Sequence, residues 1–198
     1  FMQLTGTGGR VPLKYLWQSP FTMHEELIAH IRAEARAARA GRKARIMAKM
    51  NALLEPTIIA ELYKASQAGV KIDLVIRGVC ALQPGVPGLS ENIKVRSIIG
   101  KFLEHHRIYY FYSDGEETLY LSSADWMDRN LFRRVEVAFP VLDKKLKARV
   151  IKEGFQILLK DNATAWIMNG AGKYTQTKTR TGSTPYIGQK ELVNLLCH

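Results

Sequence analysis

Cysteine is nearly absent from this 198-residue chain: Cys80 and Cys197 are its two, far apart and without the spacing of a metal site. That speaks against a disulfide framework and a cysteine-held zinc, and makes a reducing cytosol the natural setting. Long apolar runs are missing too. None approaches the roughly 20 residues of a membrane span, and no secretory leader is visible. Internal repeats and low-complexity tracts are lacking. Acidic residues are the scarcer sign of charge: 18 Asp and Glu stand against 29 Lys and Arg, for a net +11. A soluble chain this basic meets a polyanion (nucleic acid, anionic lipid or a phosphate polymer) unless the excess serves only to solubilise its surface. The 46% hydrophobic content is ordinary, and the length suits one domain with a sizeable core. The chain opens on Phe1-Met2 in mid-pattern, which suggests a piece of a longer protein.

Periodicity sets out the elements. Phe1 to Gln18 reads as a lead-in, flexible around Gly6, Gly8 and Gly9, with LKYLW as an apolar docking segment. Thr22 and Glu25 form a capping-box pattern before a helix whose apolar stripe is Leu27, Ile28, Ile31, Ala35 and Ala38. Lys43 to Asn51 alternates as a strand, with Ala44, Ile46, Ala48 and Met50 on one face and Arg45, Met47, Lys49 and Asn51 on the other. Pro56 fits the first turn of a second helix, and Lys71 to Arg77 is a second strand. Strand, helix and strand make a βαβ unit, so the two strands are expected to be parallel. Ligands then collect at their carboxyl ends, where Arg77 and Lys49 to Asn51 lie. QPGVPGLSEN is a loop, and Ile93 to Ile98 is a short strand.

Residues 102–130, FLEHHRIYYFYSDGEETLYLSSADWMDRN, read as a β-hairpin turning at Asp114-Gly115. Arg133 to Val141 is a further strand. A helix follows Asp143, with Leu146, Val150, Phe155, Leu158 and Leu159 inward. Ala165 to Met168 is expected as an edge strand, Lys173 to Arg180 as a mobile basic stretch, and Gln189 to Leu196 as a final short helix. His105 and Arg107 are two apart at the mouth of the hairpin and therefore project to one face. Ser122, Ser123, Asp125 and Asn130 sit where the returning strand ends. Most lone histidines are structural. In the company of Arg107 and Arg77, which can grip phosphate oxygens bidentately, His105 becomes a candidate acid, base or phosphoryl acceptor. His106 should point away as a bystander.

The residue order from KMNALLEP through LVIRG, FLEHHR and YLSSADWMDRN to RRVEVAFP, spanning about residues 1 to 160, closely resembles the C-terminal region of bacterial polyphosphate kinase of the large type. The resemblance implies an α/β fold, a phospholipase D-like mixed β-sheet flanked by helices, forming one half of a two-half active site. It implies a lead-in over 1–18 and a catalytic domain over 19–198. The implied reaction is reversible transfer of the terminal phosphate of ATP to polyphosphate, through a phosphohistidine on the other half, so this piece alone should be inactive. His105 matches the second-half histidine that assists as acid or base. Arg77 matches the nucleotide-phosphate arginine, and His105-x-Arg107 resembles the phospholipase D histidine-x-lysine pair. Gln83 and Lys101 stand where the family commonly has arginine.

The expected phosphate-binding set is Arg77, His105, Arg107 and Lys49, supported by Asn51, Ser122, Ser123, Asp125, Arg129 and Asn130, with Arg133 also on the channel wall. No metal ligand is expected within this chain. Magnesium would accompany ATP or ADP on ligands elsewhere. The expected partners are ATP, inorganic polyphosphate, the upstream domains and further copies of the full-length protein, without nucleic acid. The implied location is cytoplasmic, with peripheral attachment at the inner membrane left open. Two alternatives remain: a phospholipase D-like nuclease or phosphodiesterase using His105, and a module that binds polyphosphate or nucleotide without turnover.

Overall fold

A computed structural model describes residues 13–197; the glycine-rich start of the lead-in, around Gly6, Gly8 and Gly9, lies outside them. Among the described residues, nine strands form one mixed sheet in the order β1-β7-β6-β5-β2-β3-β4-β8-β9. Its centre is the expected βαβ unit. Strands β2 (Ala44–Met50) and β3 (Lys71–Ile76) run parallel, paired from Arg45–Lys71 to Met50–Ile76, and β4 (Ile93–Ser97) continues parallel to β3. Between β2 and β3 lies α2 (Pro56–Gln67), with Pro56 in its first turn. Its N-terminus is capped by Glu55, whose carboxylate accepts from the backbone N–H of Thr57 at 3.1 Å and Ile58 at 2.6 Å.

The hairpin forms as its composition demands. β5 (Arg107–Ser113) and β6 (Glu116–Ser122) pair throughout, and β5 also pairs antiparallel with β2. The two turn residues both have positive φ, 55° at Asp114 and 94° at Gly115. That is what a two-residue hairpin loop requires, and why an Asp-Gly dipeptide sits there.

The alternation along β2 sorts two cores. Ile46, Ala48 and Met50 join Leu74, Tyr109 and Trp126 under α1 (Met23–Arg39) and α2. Met47 joins Val75, Ile108, Tyr110, Phe155 and Leu158 on the opposite face. That second face is covered by α3 (Lys144–Ile151), a wider π-type turn (Lys152–Gln156), α4 (Ile157–Leu159) and α5 (Gly188–Leu196). Helices flanking a mixed sheet are the expected fold class.

Several local expectations change. Thr22 occupies the N-cap of α1 but makes no side-chain cap; its hydroxyl accepts from the Gln18 N–H at 2.9 Å instead. The lead-in contributes a strand, β1 (Trp17–Ser19), which pairs antiparallel with β7 (Glu136–Pro140) and buries Trp17 against Tyr120, ring centroids 3.7 Å apart. β7 begins later than the alternation suggests because Arg129–Arg133 winds as a π-type turn. Leu146 points outward, 54% exposed. β8 (Trp166–Met168) is not an edge strand: part of the supposedly mobile stretch forms β9 (Tyr174–Gln176) and pairs with it. No helix among the described residues is long and apolar enough to cross a membrane.

Candidate functional site

One rim of the sheet collects the polar groups. It comprises the carboxyl ends of β2, β3 and β4, the start of β5, the end of β6 and the start of β7. The parallel centre and the antiparallel hairpin meet there, so residues distant in sequence share one edge.

Asp125 is the hub. It is buried, and one carboxylate oxygen accepts from the Asn51 backbone N–H at 2.7 Å, from Asn51 Nδ2 at 3.3 Å and from Arg107 Nε at 3.2 Å. Its other oxygen accepts from Arg107 Nη2 at 3.1 Å. This side-on pair is the geometry in which guanidinium and carboxylate match best. Arg107 also donates from Nη1 to the His105 carbonyl at 3.1 Å, fixing the backbone that carries the histidine. Three of its five N–H donors are thereby committed, and two can still face an anion.

Arg77, just past β3, donates from Nε to Asn51 Oδ1 at 2.8 Å. Among the described residues its Nη groups carry no hydrogen bond. The chain Arg77–Asn51–Asp125–Arg107 therefore joins three strand ends and holds two guanidiniums in place. Close packing helps: Gly78 donates to the Asn51 carbonyl at 2.9 Å, and a Cβ on Gly78 would stand 2.9 Å from that oxygen. Beside Arg77 opens a cleft of about 320 Å³, lined by Gly78, Ser97, Ile99, Trp166 and Tyr174.

His105 lies exposed at the mouth of this arrangement, two residues before Arg107. The Arg107 guanidinium lowers its pKa from the ordinary histidine value, with partial burial, Arg77 and His106 acting the same way and Asp125 opposing. These charges favour the neutral ring over the protonated one.

Other expected residues fall elsewhere. Ser122 donates to the Val137 carbonyl at 3.0 Å and accepts from the Ala124 N–H at 3.1 Å, which shapes the exit from β6. Ser123 donates to the Glu136 carboxylate, and Asn130 Nδ2 donates to its other oxygen at 2.5 Å. Glu136 is thus the centre of a second cluster on the same rim. The sequence reading passed over it, although an acid at the start of an apolar strand was a signal. Arg129 is exposed, and Arg133 pairs with Asp128 at 3.0 Å with both side chains largely in water, a contact of small energetic weight.

Lys49 does not join Arg77 and Arg107. β2 places it opposite Ile108, on the face covered by α3 to α5. There its side chain is 2% exposed and lies 2.5 Å from Glu104. Burial lowers its pKa, while the Glu104 carboxyl is held down to about 2 against the cost of its own burial, chiefly by His106 and Lys49. The charge of Lys49 is spent inside the fold. His106 does turn away from His105, and its Nδ1 stands 3.3 Å from Lys49 Nζ and 3.7 Å from Glu104.

No cluster of three metal-ligating side chains occurs among the described residues. The Asp125 carboxylate is occupied by Arg107 and Asn51.

Known proteins match this architecture. The family model for polyphosphate kinase C-terminal domain 2 matches residues 16–189. Polyphosphate kinases from Burkholderia ambifaria and Paraburkholderia phytofirmans are each 64% identical over 197 residues, covering 100% of this chain. The chain spans 28% of the length of these curated relatives. The crystal structure of polyphosphate kinase from Porphyromonas gingivalis superposes with a TM-score of 0.92 at 34% identity, over 99% of this chain and 30% of that one. Nuc, a phospholipase D family member from Salmonella typhimurium, shares the fold at a TM-score of 0.52 and 14% identity, over 83% of this chain and 97% of its own. The family match runs through every strand that builds the rim, and the chain belongs to the polyphosphate kinase C-terminal domain family.

Proposed function

We propose that this chain is one catalytic half of a polyphosphate kinase, which moves the terminal phosphate of ATP reversibly onto polyphosphate. The observation that carries the reading is the Arg77–Asn51–Asp125–Arg107 chain with His105 at its mouth. Two guanidiniums held by a buried carboxylate and amide present fixed positive charge to phosphate oxygens. Charge spreads over such oxygens during phosphoryl transfer, so fixed donors act without reorganising as the reaction proceeds. His105, whose neutral form the two guanidiniums favour, takes a proton from a phosphate oxygen in one direction and returns it in the other. The phosphoryl-accepting histidine belongs to the upstream half in this reading, so the chain alone binds phosphate compounds without turnover. Magnesium arrives with the nucleotide on ligands outside this chain. The net charge of +11 suits a polymer with about one negative charge per phosphate, held largely by counterion release. The setting that fits is the cytoplasm, where ATP and polyphosphate meet, with the upstream domains and further copies of the whole protein as partners.

The test uses the full-length protein. Arg77→Ala should lower polyphosphate synthesis by about 10³-fold or more, and His105→Ala by about 10²–10⁴-fold, with both variants still folded by circular dichroism. Full activity in either would remove that residue from the site.

A further inference from the structure

The loop from Ile99 to His106 carries the proposed acid–base histidine, yet it has no regular structure. Ile99, Phe102 and Leu103 are at least half exposed, so little apolar burial holds it. What holds it is a polar staple on the far face of the sheet. The Gln189 carboxamide, at the start of α5, pairs with the Phe102 backbone as a strand neighbour would. Its Oε1 accepts from the Phe102 N–H at 3.1 Å, and its Nε2 donates to the Phe102 carbonyl at 2.7 Å. The same Nε2 donates to Glu104 Oε1 at 2.9 Å, and the other Glu104 oxygen takes Lys49 Nζ of β2. Gln189 and Glu104 are both buried. Gly100 passes so close that a Cβ there would lie 2.4 Å from Gln189 Oε1.

Helix α5 and strand β2 are thus joined to each other through Glu104, the residue before His105, and α5 also grips the loop at Phe102. Burying an ion pair and an amide costs more than apolar packing of the same volume, so stability alone does not explain them. We infer that Gln189 and Glu104 are positioning residues: through them the C-terminal helix α5 sets where His105 stands relative to Arg107 and Arg77. The inference rests on the reading of His105 given above. It assigns α5 a part in the chemistry without contact with substrate.

Four charged or titratable groups act on His105: Arg107, Arg77 and His106 lower its pKa, and Asp125 raises it. Loosening the staple lets the imidazole leave the guanidiniums, and its pKa then rises toward the ordinary histidine value. A purely structural loss would not do this.

The experiment uses the full-length protein and reads kcat, KM for ATP and the acid limb of the kcat–pH profile. Gln189→Met keeps volume and removes all three hydrogen bonds. Gly100→Ala displaces the carboxamide from the loop side, at a position where only the flexible end of Gln189 has to move. Both should lower kcat by about 10–100-fold, as expected for a misplaced catalytic group. Both should leave KM for ATP within about threefold, because Arg77 is held by Asn51 and not by the staple. Both should shift the acid limb to higher pH. Leu192→Ala loosens α5 through its apolar contacts alone and should leave that limb in place. Unchanged kcat and pH profile in Gln189→Met and Gly100→Ala, beside an inactive His105→Ala, would overturn the inference and leave the reading of His105 standing. An equal shift in Leu192→Ala would also overturn it. Full activity in His105→Ala would overturn that underlying reading, and the inference with it.

Discussion

Asp125→Ala isolates the rim's central claim, that one carboxylate balances a guanidinium and orients three strand ends. The side chain accepts four hydrogen bonds, two from Arg107 and two from Asn51. Its truncation leaves the Arg107 charge, on a side chain 15% exposed, without its partner. Breaking a buried pair in this way costs about 3–5 kcal/mol. The residual exposure of Arg107 argues for the lower end. Orphaning the Asn51 N–H adds up to about 1–3 kcal/mol unless water replaces the oxygen. A loss near 3 kcal/mol, at about 2–4 °C per kcal/mol for a domain of this size, lowers the melting midpoint by about 6–12 °C. Differential scanning calorimetry of the domain's transition reads this directly. Asp125→Asn keeps shape and one acceptor and should lose about half as much. The double variant Arg107→Met with Asp125→Leu removes both charges and should be more stable than Asp125→Ala alone. A midpoint for Asp125→Ala within about 2 °C of the parent, or a double variant worse than either single, would refute the reasoning.

Two further outcomes follow from buried groups. Glu34, fully buried in α1, accepts from the Arg45 N–H through one carboxylate oxygen, and burial pushes its pKa up to about 7 from 4.5. The folded value lies above the unfolded one, so this group's stabilisation is complete below pH 4.5 and is lost as pH rises through about 7. Glu34→Gln should therefore raise the melting midpoint at pH 8, by the equivalent of about 1–3 kcal/mol, and bring little at pH 4; an equal effect at both would contradict the buried, proton-holding carboxyl. Gly78→Ala forces a Cβ against the Asn51 carbonyl and should cost about 1–3 kcal/mol. Because Arg77 adjoins it, KM for ATP should also rise in steady-state assays, and unchanged stability and KM would show that the strand ends have room.

The central elements were legible because their signals are local. Alternation along β2, proline at the start of α2 and the Asp-Gly turn each act within a few residues, and the structure bears out all three. Edge strands β1 and β9, three residues each, have no such signal. They exist because partners distant in sequence offer free backbone groups, and a short segment carries no periodicity to reveal that. Lys49 shows a different limit. Alternation already placed it opposite Met50, but which hairpin residues shared its face depended on the register with β5. The observed Lys49–Ile108 pairing puts it with His106 and Glu104, away from Arg107. Glu104 and Gln189 meet across 85 residues, and their link comes only from folding α5 under the sheet.

Strand β1 also has a consequence in time. Trp17 pairs beside Ala138, about 120 residues later in the chain. A ribosome moving at about 5–20 residues per second needs about 6–24 s to deliver that partner. For that interval Trp17 has emerged, but Tyr120 and β7, which cover it, are still largely unmade. The pairing of β2 with β3 needs no such wait, since both strands lie within the stretch from Ala44 to Ile76. The β2–β3 centre can therefore pair before the β1 edge, which leaves an aromatic strand open to chaperones or to misplaced pairing until β7 arrives.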